Sequence, residues 1–212
     1  MRAHVGGGEA SAQELGRFLC DRGRLDLSKW GRGGAKTVED LLEEVRAGET
    51  TLTEGGPGGG VARSVSVLSI RVSREDGAVL TEARQRFPDG RERRREDTYV
   101  AEKLLPGEAW QDGVRRGVQE ELGSAVPDGQ SLEVDVDAAS YARSETSRVS
   151  SSYPGLMSHY VCHEVAARVR PLPQEDFETR EPRPGGFLVT SWAWKRPGPR
   201  RRGPPRPPRV VG

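Results

Sequence analysis

The residues best suited to chemistry lie between Pro106 and Gly123: Glu108, Arg116, Glu120 and Glu121, punctuated by Gly107, Gly117 and Gly123. On a helix, positions i, i+3 and i+4 share a face, so Gly117, Glu120 and Glu121 line up, with Glu108 and Arg116 two turns apart on another face. Clustered carboxylates hold hard, oxygen-ligated cations such as Mg²⁺ and leave several of the ion's waters in place. A lone Glu-Glu pair near a helix end is also ordinary solvated surface. Upstream, Arg84, Arg86, Arg91, Arg93, Arg94 and Arg95 crowd one hairpin. Guanidinium forks match phosphate oxygens bidentately, although strand alternation turns about half of them towards solvent. Tyr153, in Ser152-Tyr153-Pro154-Gly155, can stack on a base or anchor a turn. His159 and His163 share a strand face with Cys162 opposite, which is poor zinc geometry. The sequence offers no Ser/His/Asp or Cys/His arrangement.

The elements that must position these residues follow from periodicity. Ser11 can cap a helix carrying Leu15, Phe18 and Leu19 on one face. Thr37 can cap a second, in which Val38, Leu41, Leu42 and Val45 recur at i, i+3, i+4 and i+7. Residues 11–54 read as a helical extension with Trp30 in its core or seam, and Gly-Gly-Pro-Gly-Gly-Gly at 55–60 as a joint. That joint lacks the Gly-Lys-Ser/Thr ending of a phosphate loop. A main domain over 61–196 then alternates: strands Val61–Val72, Ala78–Phe87 and Arg91–Leu104, the middle two joined by the Pro88-Asp89-Gly90 turn. From Glu108 to Leu122 the period changes, and Trp110, Val114, Val118 and Leu122 form an apolar helix stripe that Gly123 should end. Strands over Leu132–Ala139 and Tyr141–Val149, Met157–Val169 and Gly186–Trp194 complete a mixed α/β domain. Gly113 and Gly117 inside the helix each cost about 1 kcal/mol relative to Ala, which either a close approach of a strand or loop or the decay of a catalytic face would explain.

The stretch 102–124 resembles the Nudix box, G-x5-E-x7-R-E-U-x-E-E-x-G-U, where U is a bulky aliphatic. Glu108, Arg116, Val118, Glu120, Glu121 and Gly123 match; Glu102 stands at the leading Gly, Gly117 at the Glu after Arg, and Ser124 at the last aliphatic. The order of surrounding strands agrees over roughly 60–195, and Ser152-Tyr153-Pro154-Gly155-Leu156 is similar to a Nudix-like group of plants and algae. The resemblance implies a Nudix-like α/β/α sandwich with a mixed sheet. It implies Mg²⁺- or Mn²⁺-dependent hydrolysis of a nucleoside diphosphate linked to another moiety, with Glu120 and Glu121 as catalytic metal ligands. Glu108, Arg116 and Gly123 would be the structural residues of the box. Arg84, Arg86, Arg93, Arg95 and Tyr153 are the candidate contacts to a small phosphorylated, nucleotide-like ligand. The carboxylate absent at Gly117 has three possible lenders, Glu102, Glu145 and Glu164. The alternative is a catalytically inactive Nudix-like fold that binds a ligand or a protein.

Composition narrows the classes. The 212 residues carry a net charge of +1 although 31% are charged, which argues against both a wholly disordered chain and a basic nucleic-acid binder. Twenty-nine arginines against four lysines, with abundant Gly and Pro, are what GC-rich coding gives. No run approaches the roughly 18 apolar residues of a membrane span. Cys20 and Cys162 read as reduced and buried, placing the chain inside the cell, in the cytoplasm by default with a plastid as the alternative. Residues 1–10 and the Arg/Pro-rich segment 197–212 should be disordered; the latter reads as low-complexity overhang, and it is the one segment whose composition would suit RNA, a phosphorylated partner or an SH3-like groove in a chain otherwise not expected to bind nucleic acid.

Overall fold

Valine-rich alternation over Val61–Val72 forms the strand on which everything else is built. The computed structural model describes residues 10–55, 59–127, 130–183 and 185–196, so the expected disordered tail, most of the N-terminus and part of the Gly-rich joint lie outside the described residues. In chain order the elements are helices α1 (Ala12–Asp21) and α2 (Val38–Arg46), strands β1 (Thr51–Glu54), β2 (Val61–Val72), β3 (Val79–Arg86), β4 (Glu92–Thr98) and β5 (Val100–Lys103), helix α3 (Trp110–Leu122), then β6 (Glu133–Val149), β7 (Met157–Arg170), β8 (Phe177–Arg183) and β9 (Gly186–Lys195). The architecture is mixed α/β. One five-stranded sheet runs β1-β2-β7-β6 with β5 also paired to β2; the second runs β4-β3-β9-β8. The first sheet is mixed because β2 and β7 are parallel while its other pairs are antiparallel. Among the described residues no helix is long and apolar enough to cross a membrane.

Period-2 alternation divides β2 between two cores. Leu68, Ile70 and Val72 face α3, where they meet Leu80, Val100, Val114, Val118, Leu122, Val165 and Trp192 in a core drawn from both sheets. Val61 belongs to a second core with Leu15, Leu19, Trp30, Leu41, Leu42, Leu52, Tyr153 and Leu156. Both extension helices begin as expected: Ser11 and Thr37 each form a reciprocal capping box, with Glu14 and Asp40. Trp30 is a seam residue, its ring 5.0 Å from Tyr153 and its indole N–H donating to the Pro154 carbonyl at 2.9 Å.

The structure corrects several boundaries. Thr51–Glu54, the end of the segment read as helical, is a strand paired to Val61–Ser64, so the extension is stitched into the first sheet, and beyond the paired strands the Gly55 N–H donates to the Gly60 carbonyl at 2.9 Å. The expected strand over Arg91–Leu104 is two strands: β4 pairs with β3 in the second sheet, whereas β5 pairs with β2 in the first. The chain changes sheets at Tyr99. The strand at Phe177–Arg183 escaped the periodicity because its single fully covered side chain is Thr179, not an aliphatic residue. Helix α3 does end at Leu122 with Gly123 as its C-cap, as expected, although at φ −58° the cap is not left-handed and the chain continues into a short 3-10 turn. Of the two cysteines Cys162 is buried and Cys20 is exposed.

Leu42 is 6% exposed between α2 and the second core. Leu42→Ala should destabilise the protein by roughly 2–5 kcal/mol, the range for truncating a packed leucine. Chemical denaturation of the full chain checks this, and a change below about 0.5 kcal/mol, the range of surface substitutions, would show that the extension is not packed.

Candidate functional site

Helix α3 and strand β5 meet along Gly113 and Gly117, and both glycines are there for closeness. A Cβ on Gly113 would meet Leu104 Cδ2, the end of a side chain, and one on Gly117 would lie 2.9 Å from Cβ and 3.1 Å from Cγ of Glu102. The helix therefore lies directly on β5 and the turn after it. Arg116 locks that arrangement. Its Nε donates to Glu108 Oε1 at 2.9 Å and its Nη2 to Glu108 Oε2 at 2.9 Å, a bidentate pair, while Nη2 also reaches the Lys103 carbonyl at 2.7 Å. Glu108 in turn accepts from the Leu105 backbone N–H at 2.9 Å. The arginine lowers the Glu108 carboxyl below the usual carboxylate range, and the same pairing raises the guanidinium's own pKa. Glu108 and Arg116 thus brace the loop and helix.

The third guanidinium nitrogen faces the carboxylates. Arg116 Nη1 donates to Glu120 Oε2 at 3.0 Å and stands 3.5 Å from Glu102 Oε1. Glu102 is 17% exposed; burial raises its carboxyl above the ordinary range, against the lowering effect of the Lys103 N–H, which donates to it at 2.6 Å, and of Arg116. Glu120, at 54%, is open to solvent.

Glu102, Arg116, Glu120 and Glu121 form one wall of a cleft of about 510 Å³. Its floor is Arg63, Val65, Val67 and Tyr160 of β2 and β7, and its opposite wall is Asp40, Glu43, Glu44 and Ala47 of the extension, with Lys36 and Glu49 beside them. Adjacent residues on β5 serve opposite walls: Glu102 turns to α3, and Lys103 to α2. Lys103 Nζ lies 2.9 Å from Glu44 Oε1 and 2.6 Å from Glu49 Oε2. Glu44 also receives Lys36 at 2.7 Å and the fully buried Arg63 at 2.7 Å. Burial alone would raise the Glu44 carboxyl, but Lys36, Lys103 and Arg63 outweigh it and bring it to about 2.

Several residues singled out from sequence are placed elsewhere. Tyr153 is fully buried against Trp30, so its ring cannot stack on a ligand. Arg84, Arg86 and Arg93 belong to the second sheet and line no part of the cleft; Arg84 pairs with Glu92 at 3.3 Å. The Arg95 side chain lies outside the described residues. Glu145 pairs with Arg143 at 2.5 Å on β6, and neither it nor Glu164 reaches the cleft, which leaves Glu102 as the one possible lender that does. Sequence reasoning missed Lys36, Glu44, Arg63 and Lys103. The signal for Arg63 is legible in retrospect, as a lone charge on the inward phase of a valine-rich strand; Glu44 carries no comparable mark.

Among the described residues no three His, Cys, Asp or Glu side chains already converge as a metal site. With Glu181 and Arg183 of β8 at its rim, the cleft lining is net acidic, eight acidic side chains against five basic ones. No family model matches the chain, and no curated protein matches it.

Two outcomes test this geometry. Gly117→Ala should destabilise by roughly 1–3 kcal/mol, as overpacking does, where the same change in an open helix would stabilise by about 1 kcal/mol. A carboxyl held at about 2 contributes stability that is complete above its ordinary value of 4.5 and is lost as pH falls towards 2. Glu44→Gln should therefore lower stability at neutral pH and flatten its decline between those limits, read from denaturation midpoints across pH; an unchanged acid profile would contradict the Glu44 network.

Proposed function

We propose that the protein is a Nudix-type hydrolase that uses Mg²⁺ or Mn²⁺ to cleave a nucleoside diphosphate linked to another moiety. In this reading the mixed sheet, with α3 on one face and α1 and α2 on the other, is a Nudix-like α/β/α sandwich. The observation that carries the proposal is the placing of Glu120 and Glu121 on one wall of an acid-rich cleft, next to an Arg116–Glu108 brace that fixes their helix. An acidic cleft attracts cations and repels a bare phosphate, so a phosphorylated ligand would enter it together with a divalent ion.

The donors fit such an ion in kind, since carboxylate oxygens suit Mg²⁺. Glu120 would have to turn from Arg116 to hold it. That pair is an exposed i, i+4 contact, worth about 0.3–0.5 kcal/mol, so the turn is easy, while the bidentate hold on Glu108 stays. Glu120 and Glu121 would then hold the metal, which, when bound, polarises a phosphoryl oxygen and activates a water. Arg116 keeps the helix seated during the reaction. In the hydrolysis itself one water adds across the P–O–P bridge: a P–O bond forms to the water oxygen, the bridging P–O bond breaks, and a proton leaves to solvent.

A second reading, a catalytically inactive fold that binds a ligand or protein, is favoured by Arg116 Nη1 already occupying the space between Glu102 and Glu120. The two readings separate cleanly. Under the first, Mg²⁺ raises the thermal midpoint of the full chain by mass action, and nucleoside diphosphate–linked substrates are hydrolysed. Replacing both Glu120 and Glu121 with Gln should abolish both effects with little change in metal-free stability. Absence of any Mg²⁺ response and of turnover in the wild type would leave the binding-module reading.

A further inference from the structure

The wall of the cleft facing α3 carries more hydrogen-bond donors than its acceptor can use. Three cations converge on Glu44: Lys36 Nζ at 2.7 Å and Lys103 Nζ at 2.9 Å on Oε1, and Arg63 Nη2 at 2.7 Å on Oε2. Arg63 lines the floor of the cleft and is fully buried, yet its Nε and Nη1 have no hydrogen-bond partner among the described residues. Three of its five N–H groups are therefore unused. The Tyr153 ring, its centroid 5.2 Å from Arg63 Cζ, gives that charge a cation–π contact but no acceptor. On β7 the residue paired with Arg63 is Ser158, also fully buried, and its hydroxyl is likewise without a partner. Donors of a charged group are costly to bury unpaired, and an acceptor arriving from the cleft would relieve that penalty.

We propose that Lys36, Arg63 and Lys103 form a phosphate subsite at the α2 end of the cleft, where the Glu44 carboxylate holds the place of the ligand's oxygens. This deepens the hydrolase reading above and rests on it for what carries the phosphate. A carboxylate has two oxygens, and both of Glu44's are engaged. The donors left over suit a tetrahedral anion with three or four oxygens. Charge is divided along β5 to match, since Glu102 turns to Arg116 and Lys103 to Glu44. Of the other acids on this wall, Glu49 is held by Lys103 at 2.6 Å, Asp40 accepts from the Thr37 N–H at 2.7 Å, and Glu43 is exposed. A phosphate entering the cleft meets Lys36 and Lys103 first, both partly exposed, and displacing Glu44 opens the Arg63 guanidinium behind it.

The experiment uses the full chain without metal and inorganic phosphate alone, followed by the ³¹P resonance. The net acidity of the lining makes bare phosphate a weak ligand, so it is titrated into the millimolar range. The line should broaden saturably, and acetate at equal ionic strength, with its two oxygens, should not displace the phosphate. Lys36→Gln, at a partly exposed position, should weaken binding by about tenfold or more, the size of one lost charge-assisted contact. Glu44→Gln removes the competing carboxylate and should tighten binding by about tenfold, with phosphate raising that variant's thermal midpoint more than wild type's. A network that only holds α2 in place predicts no such tightening. Replacing Glu120 and Glu121 with Gln should not weaken metal-free binding. If the wild type gives no saturable broadening, or if Glu44→Gln does not tighten binding, the subsite is wrong even where Mg²⁺-dependent turnover is found. If Lys36→Gln binds as wild type does, the anion sits elsewhere, the arginine-rich segment 197–212 included, and the subsite is wrong. If phosphate binds here as described and no nucleoside diphosphate–linked substrate is turned over with Mg²⁺, the hydrolase reading falls and the phosphate site stands.

Discussion

The site depends on one guanidinium. Arg116 holds a loop carboxylate, the last carbonyl of an edge strand and a residue of its own helix at once. Remove it and Glu108 is left largely buried without its bidentate partner, the Lys103 carbonyl loses a donor, and apolar packing alone is left to hold α3 on β5. That distance is set finely, because Gly113 and Gly117 have been reduced to backbone to allow it. A lysine in its place would keep the charge but not the fork that spans both Glu108 oxygens. The strength of the hold is uneven, and usefully so. The Glu108 arm is bidentate and mostly covered, whereas the Glu120 arm is open to water. Glu120 is thus held by the weaker arm and Glu108 by the stronger.

The opposite wall is organised by a different kind of electrostatics. Glu44 is nearly inaccessible and surrounded by Lys36, Arg63 and Lys103. Burying such a network is expensive, and a well-packed apolar replacement is often equally stable. What ions provide that methyl groups do not is register. The carboxylate comes from the extension, while Arg63 and Lys103 come from β2 and β5, so α2 can sit at only one height over the sheet. The extension is consequently a wall of the cleft and not an appendage to it.

What could be read from the sequence was whatever rests on local periodicity or local spacing. The capping boxes at Ser11 and Thr37, the stripe Val114–Val118–Leu122 and the Glu108–Arg116 brace all involve residues within a few turns of one another. What could not be read was where the chain changes partners. Arg91–Leu104 reads as one strand returning from the Pro88-Asp89-Gly90 turn, and although the charged run 91–97 gives way to Thr98-Tyr99-Val100-Ala101, nothing local says that the chain leaves the second sheet for the first at Tyr99. Missing that switch carried the hairpin arginines into a cleft they do not line. Tyr153 misled for the same reason: a turn sequence does not say which side of the turn is covered, and here α1, α2 and Trp30 cover it.

Glu102 and Gly117 illustrate the limit most sharply. They are fifteen positions apart, and each taken alone departs from the pattern, one by gaining a side chain and the other by losing it. Linear spacing treats them as independent losses. In three dimensions they are one contact, because β5 runs antiparallel to β2 at Glu102↔Leu68 and α3 lies across it with Gly117 on the crossing point. Two substitutions that meet at 2.9 Å are constrained jointly, and reverting either one alone meets the side chain, or the gap, left by the other.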